Sequence, residues 1–260
     1  MQIGLAPPTA IVGSDSDKRA QLRALAKLRS RPTAGTRRDG FSQDYRRIEE
    51  LCPWLGDCAW VSPLAITAKN VHSDLMIIGQ DWAGERYLTR RGDPDRLRSG
   101  YDAKLQTNIT LASLLKEAFT REFDQVFATN AFVFIKPGGM TGSIPAGDLR
   151  HSTKTYTLRE IAIVRPMMVI CLGADAYNAL RRSQGMPFQQ LKDANHDTPE
   201  LVITGAEIYG VPHTGALGQS STGGYTVSLA IWKRLAKRLE HLRASNPSVT
   251  YVCDQRIDQH

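Results

Sequence analysis

Long apolar runs are missing from this 260-residue chain. No stretch reaches the eighteen or so apolar residues that a membrane-crossing helix needs, so no such helix and no membrane partner is expected. The opening MQIGLAPPTAIVG has neither the basic start nor the apolar middle of a secretory signal, and a cytoplasmic protein is expected. Cysteine is scarce, with Cys52, Cys58, Cys171 and Cys253 the whole set. Cys52 and Cys58 flank five residues, wider than the spacing of common zinc or iron–sulfur pairs. Cys171 lies inside an apolar run and reads as a small core residue. No metal and no cofactor are therefore expected. Internal repeats and low-complexity tracts are also lacking.

Basic charge is what the chain has in excess. The net charge is +7 and the sequence pI about 9.3, which suits a polyanionic partner such as nucleic acid. A plain soluble surface would give the same balance, so charge needs a site to give it meaning. The apolar share of 42% and charged share of 23% are those of an ordinary globular protein. The length fits one large domain, or one domain with an extension.

Residues 1–70 differ from the rest. Ser16–Leu28 (SDKRAQLRALAKL) has helical spacing, with Leu22, Leu25 and Leu28 on one side. SRPTAGTRRDG is loop-like. SQDYRRIEELCPW predicts a second short helix, with Ser42 as its N-cap and Pro53 near its end. The expectation is an N-terminal helical extension over 1–70, a main domain over 71–245 and a tail over 246–260. From Leu75 the pattern becomes α/β. Strands are expected at Leu75–Ile78, Gln125–Phe134, Met167–Leu172 and Ala206–Val211. Helices are expected at Ile109–Phe119, Leu158–Val164, Ala174–Arg182 and Val227–Leu242. Short apolar strands alternating with helices predict a three-layer α/β/α sandwich around a short, mainly parallel, four-stranded sheet.

In such sheets ligands bind where the strands end. The first strand is followed by Gly79-Gln80-Asp81-Trp82. Thr129-Asn130 and then Lys136-Pro137-Gly138-Gly139 go with the second. Gly173 and Ala174 come after the third, and Pro212-His213-Thr214-Gly215-Ala216-Leu217 after the last. A carboxylate, an amide and an imidazole at one sheet edge suit a planar heterocycle. The amide can read a donor–acceptor edge, and the imidazole can donate to a developing oxyanion. The carboxylate can stabilise a sugar cation and orient water.

These segments resemble the uracil-DNA glycosylase superfamily over roughly residues 71–242. GQD at Gly79–Asp81 resembles the Gly-Gln-Asp-Pro-Tyr motif of the best-known branch. TNAFVFIKPGG at Thr129–Gly139 is similar to the Thr-Asn segment of the iron–sulfur branch. RPMMVICLGADAYNAL at Arg165–Leu180 is similar to that branch's Pro-x-Val-Ile-x-Leu-Gly-x-x-Ala run, and PHTGAL at Pro212–Leu217 stands where the family has His-Pro-Ser-Pro-Leu. The resemblance implies a monofunctional enzyme that hydrolyses the N-glycosidic bond of deoxyuridine in single- or double-stranded DNA, as a monomer. It gives Asp81 the water and the sugar cation, Asn130 and Gln80 the base, and His213 the oxygen of the leaving base. Leu217 becomes the wedge that enters the duplex as the nucleotide flips out.

The departures carry their own expectations. Ala83 replaces the tyrosine that blocks the thymine methyl, so base specificity is expected to be relaxed. Trp82 replaces a proline and narrows the pocket instead. Thr214 and Gly215 replace the Pro-Ser that grips a phosphate. Gly138, Gly139, Thr214, Gly215 and Ser220 are the expected phosphate contacts. Phe134 stands near where the iron–sulfur branch has a ligand. Tyr101 and Trp82 are the candidates to stack on the base, and no lysine Schiff base or lyase step is implied. Two other readings stay open: a non-catalytic DNA-binding member of the fold, and a hydrolase of free nucleosides or nucleotides.

Overall fold

The computed structural model describes residues 14–31, 40–53, 60–91, 99–221 and 223–246. The loop expected over 30–40 lies largely outside the described residues, as do Cys58, Cys253 and most of the expected tail. Helix α1 (Asp15–Ser30) opens on a capping box in which Ser14 and Asp17 satisfy each other's backbone amides. Two single-turn helices come next, α2 (Ile48–Leu51) and α3 (Leu64–Thr67). Strand β1 (Leu75–Asp81) leads into α4 (Glu85–Arg91) and α5 (Gln106–Phe119). Strand β2 (Phe127–Phe132) is followed by α6 (Ala146–Ser152), a π turn over Thr153–Thr157 and α7 (Leu158–Val164). Strand β3 (Met168–Leu172) precedes α8 (Ala174–Ser183). Strands β4 (Leu201–Ile203) and β5 (Ala206–Val211) form a hairpin, then come α9 (Ala216–Ser221) and α10 (Tyr225–Ser245).

The sheet runs β2-β1-β3-β5-β4, parallel except for the β4–β5 pair. Alternate residues of each strand feed opposite layers, as the period of two requires. Met76, Ile78, Val169, Cys171 and Ile208 join one core with Leu22 and Leu25 of α1, Ile161 of α7 and Leu180 of α8. Leu75, Ile77, Ile170, Leu172 and Val211 join the other with Leu111, Leu114 and Leu115 of α5 and Trp232 and Leu235 of α10. Burial on both faces is why the strands read as unbroken apolar runs. This is the expected three-layer α/β/α arrangement. Among the described residues no helix is long and apolar enough to cross a membrane.

Three expectations are corrected. The sheet has five strands, not four. β4 is only three residues long and escapes a search for runs of four or more. It is closed onto β5 by Thr204 and Gly205, both at positive φ (49° and 87°), the conformation of a two-residue hairpin turn. Asp81 is the last residue of β1, paired with Phe132, rather than part of the turn after it. Ser42 caps no helix. Its amide donates to Asp148 Oδ1 at 2.7 Å and its hydroxyl to Asp148 Oδ2, which ties the segment to α6, and the helix begins only at Ile48.

β2 is fixed from behind by a buried polar cluster. Thr129 Oγ1 lies 2.8 and 3.0 Å from the two Glu160 oxygens, and Thr157 Oγ1 donates to the Asn130 carbonyl at 3.1 Å. Glu160 is fully buried. Burial pushes its carboxyl up to about 8, against the Thr129 hydrogen bond and the Arg29 charge. A neutral carboxyl and a hydroxyl satisfy each other without an unpaired charge. The folded protein thus holds this proton more tightly than the unfolded chain does. Glu160 stabilises the fold fully below its ordinary value of 4.5, and that stability is lost as pH rises through about 8. In urea denaturation, Glu160→Gln is expected to gain on the wild type by about 4 kcal/mol between pH 5 and pH 9. A constant difference across that range would show that Glu160 is ionised in the fold.

Candidate active site

The order β2-β1-β3 means that the chain leaves β1 to one side for β2 and to the other for β3. The connection after β1 thus runs to one side of the sheet and that after β3 to the other, which makes a switch point between β1 and β3. A cavity of about 450 Å³ opens at this place. Its wall includes Gln80, Asp81, Trp82, Ala83, Tyr101, Asn130 and His213, and Leu217 stands at its mouth. The carboxylate, amide and imidazole expected from three separate strands thus share one cavity.

Asn130 is buried within β2, opposite Gly79 of β1. A Cβ on Gly79 would sit 2.6 Å from Asn130 Oδ1, so glycine is what lets this amide lie against β1 and face the cavity. Asn130 Nδ2 donates to Ser62 Oγ at 2.8 Å. One amide hydrogen is held in this way, which fixes the orientation of the group.

Asp81 forms a buried ion pair. Lys136 Nζ lies 3.2 Å from Oδ1 and 3.1 Å from Oδ2, and it also donates to the Met140 carbonyl at 2.5 Å. Burial holds the pKa of Asp81 above its ordinary value, the Lys136 charge and hydrogen bond offset part of that rise, and the charge of Asp175 adds to it. Lys136 is part of the cavity wall and had no role in the sequence-based expectation. The only hint was a lysine placed straight after the apolar run FVFI. Ser62 had no signal at all, because its contact is 68 residues away in the chain.

His213 comes just after β5 and packs against Gly173. Its Nδ1 accepts the Gly215 amide at 3.0 Å, which leaves the ring proton of the neutral imidazole to Nε2. The ring is exposed at the cavity, yet enough protein surrounds it for partial burial to lower its pKa, and the charge of Lys136 lowers it further. At neutral pH this is a neutral imidazole with one N–H to donate.

The remaining residues divide. Trp82 donates from Nε1 to the Gly100 carbonyl at 3.1 Å, which sets its indole in the wall. Ala83 is buried beside Ile48 and Leu88. Tyr101 stacks on Phe123 with centroids 4.7 Å apart and donates to the Asn108 carbonyl at 3.2 Å, so one ring face is already taken. Leu217 is 82% exposed. Gly138 and Gly139 face open space, on the loop that brings Met140 and Thr141 to the cavity. Ser220 is exposed on α9, outside the cavity wall, and donates to the Leu217 carbonyl. Two expected phosphate contacts are corrected. Thr214 is fully buried with its hydroxyl covered, and the Gly215 amide is committed to His213. Phe134 is a core residue among Phe41, Phe132 and Tyr156. Among the described residues no three His, Cys, Asp or Glu side chains gather as metal ligands.

Compared with models of known protein families the chain matches none, and no curated protein matches it.

His213 is expected to titrate below 6.5 and to carry its neutral-state proton on Nε2. A long-range proton–nitrogen correlation spectrum recorded across pH measures both. A ring protonated on Nδ1 would contradict the contact with Gly215.

Proposed function

We propose that this chain is a DNA glycosylase that releases uracil from DNA, a divergent relative of the uracil-DNA glycosylase superfamily without an iron–sulfur cluster. The observation that carries the proposal is the convergence of Asp81, Asn130 and His213 on one cavity, with the exposed Leu217 at its mouth. A cavity of about 450 Å³ is of the size range of small-molecule sites and has room for one flipped nucleotide.

The basic surface meets the phosphates first, so binding weakens as salt rises. Leu217 enters the base stack while the deoxyuridine turns into the cavity. The Asn130 amide, its orientation set by Ser62 and Gly79, pairs with the base edge, with Gln80 beside it. As the glycosidic bond breaks, the sugar takes on positive character and the base negative. Asp81 faces the sugar cation and directs water to it. His213 donates its Nε2 proton as a hydrogen bond to the base oxygen, and a neutral imidazole suits that task because it stabilises charge without giving the proton away. Trp82 and Ala83 bound the pocket where the base's C5 edge lies, so exclusion of thymine rests on the indole. The protein acts as a cytoplasmic monomer, and no cofactor enters the scheme.

Incubation with labelled uracil-containing oligonucleotides, single- and double-stranded, followed by alkali, tests the proposal. Cleavage at uracil is expected. His213→Ala is expected to slow single-turnover excision by about two orders of magnitude, the loss of one such donor being on the order of 3 kcal/mol. Asp81→Asn is expected to remove most activity, and because it leaves the buried Lys136 without its anion it is also expected to cost about 3 kcal/mol of stability, read by urea denaturation. Leu217→Ala is expected to impair duplex substrate more than single strands. Tight binding without cleavage would point to a non-catalytic DNA-binding protein, and base release from free nucleoside alone to a nucleoside hydrolase.

A further inference from the structure

Lys136 lines the cavity but has no task in the proposed reaction. Its ammonium is buried, 5% exposed, against an Asp81 side chain 7% exposed. Its hydrogen-bonding capacity is spent on the two Asp81 oxygens and the Met140 carbonyl. A cation so ligated is not a free nucleophile. It is an anchored charge, and the anchoring is backbone-deep. Lys136 bridges Gly84 in parallel fashion, and its carbonyl accepts the Glu85 amide at 3.0 Å. The loop after β2 is thereby fastened to the segment only three residues beyond Asp81. The ammonium thus has one stable place, beside the carboxylate.

We propose that Lys136 is the positioning residue of this site: it fixes the Asp81 carboxylate and holds Asp81 ionised and His213 neutral at the same pH. The proposal rests on the glycosylase reading for its consequence in catalysis, but not for its electrostatics.

The two groups have opposite needs. Asp81 must be an anion to face a sugar cation, and burial works against that. His213 must be neutral to act as a hydrogen-bond donor without becoming an acid, and a nearby anion would work against that. A single cation near both serves both. It favours the ionised carboxylate by direct contact and disfavours a second positive charge on the imidazole. The Lys136 charge acts on each group in that direction. The other ionisable groups at or near the cavity fit this assignment. Asp175, at the start of α8, opposes ionisation of Asp81. Asp102 lines the cavity but is bonded by Tyr87 Oη at 3.0 Å. The Tyr101 hydroxyl is pushed up by burial and stays neutral.

Removing the Lys136 charge therefore raises the pKa of Asp81 and raises that of His213. Activity that needs both groups deprotonated has an acid limb, and that limb moves to higher pH.

Single-turnover excision by wild type, Lys136→Met and Lys136→Arg is measured from pH 5 to 9, and His213 is titrated by NMR in each. Lys136→Met is expected to lose most at low pH and to approach the wild type as pH rises. Its His213 is expected to titrate higher than in the wild type, and Lys136→Arg is expected to restore both in part. A uniform loss across pH with an unmoved His213 titration would overturn the proposal, leaving Lys136 a packing residue. Should Lys136→Met not fold, the double variant Asp81→Asn/Lys136→Met removes both charges together and leaves no unpaired buried ion. Its His213 must titrate above that of Asp81→Asn alone, the comparison that isolates the Lys136 charge. If the wild type excises no uracil, the His213 titrations still decide the electrostatic assignment, so failure of the glycosylase reading and failure of this inference are told apart.

Discussion

Parallel pairing of β1 with a neighbour on each side is the constraint on which the site depends. Parallel strands run out at one edge, so β1, β2, β3 and β5 deliver their succeeding loops to the same place. β1 lies between β2 and β3, but its end outruns β3: Asp81 pairs with Phe132 of β2 and is buried there against Lys136. Register then decides which side chains enter the cavity. Gly79 stands opposite Asn130, and a slip of one residue would send the amide to the other face. Both faces are packed by helices, so such a slip would also move every apolar residue of β2 into the wrong layer.

The same burial creates an electrostatic problem, and the protein meets it in two different ways. Glu160, behind β2, is satisfied as a neutral acid against Thr129. Asp81, at the end of β1, is satisfied as an anion against Lys136. A neutral acid costs no buried charge and suits a structural joint. A paired anion costs desolvation of two ions, and such pairs give little net stability. Retaining one in a cavity wall therefore points to a use for the charge itself.

Much of the fold was legible because the sheet is buried on both faces. Leu75 and Ala206 open strands where the apolar runs open, β3 starts one residue after the expected Met167 and β2 two after the expected Gln125, and α7 has the bounds its spacing predicts. The illegible parts turned on geometry rather than pattern. β1 runs on through Gly79, Gln80 and Asp81 because β2 offers it partners there, which no apolar count can reveal. β4 is held by a turn, not by its composition. Ser42 resembled a helix cap, but its partner is Asp148, 106 residues away. The strand-end rule found Asp81, Asn130 and His213, since each lies in or just after its strand. It could not find the task of Lys136 or of Ser62. Their partners lie 55 and 68 residues distant, and nothing local names those partners.

The loop after β5 illustrates how a motif can keep its place and change its internal work. In PHTGAL the threonine turns inward and the Gly215 amide is spent on His213 Nδ1. The Thr214 hydroxyl is buried without a partner among the described residues, and the Gly215 amide sets the tautomer of the histidine. Gly215 suits that task, since a Cβ there would lie 2.9 Å from Nδ1. On the proposed function, the phosphate grip then falls to the other rim, where Gly138 and Gly139 face open space beside Met140. That loop is also the one Lys136 ties to Asp81. On that reading the groups proposed to meet a nucleic-acid backbone and the group that fixes the carboxylate are neighbours on a single loop, seated against Gly84 and Glu85.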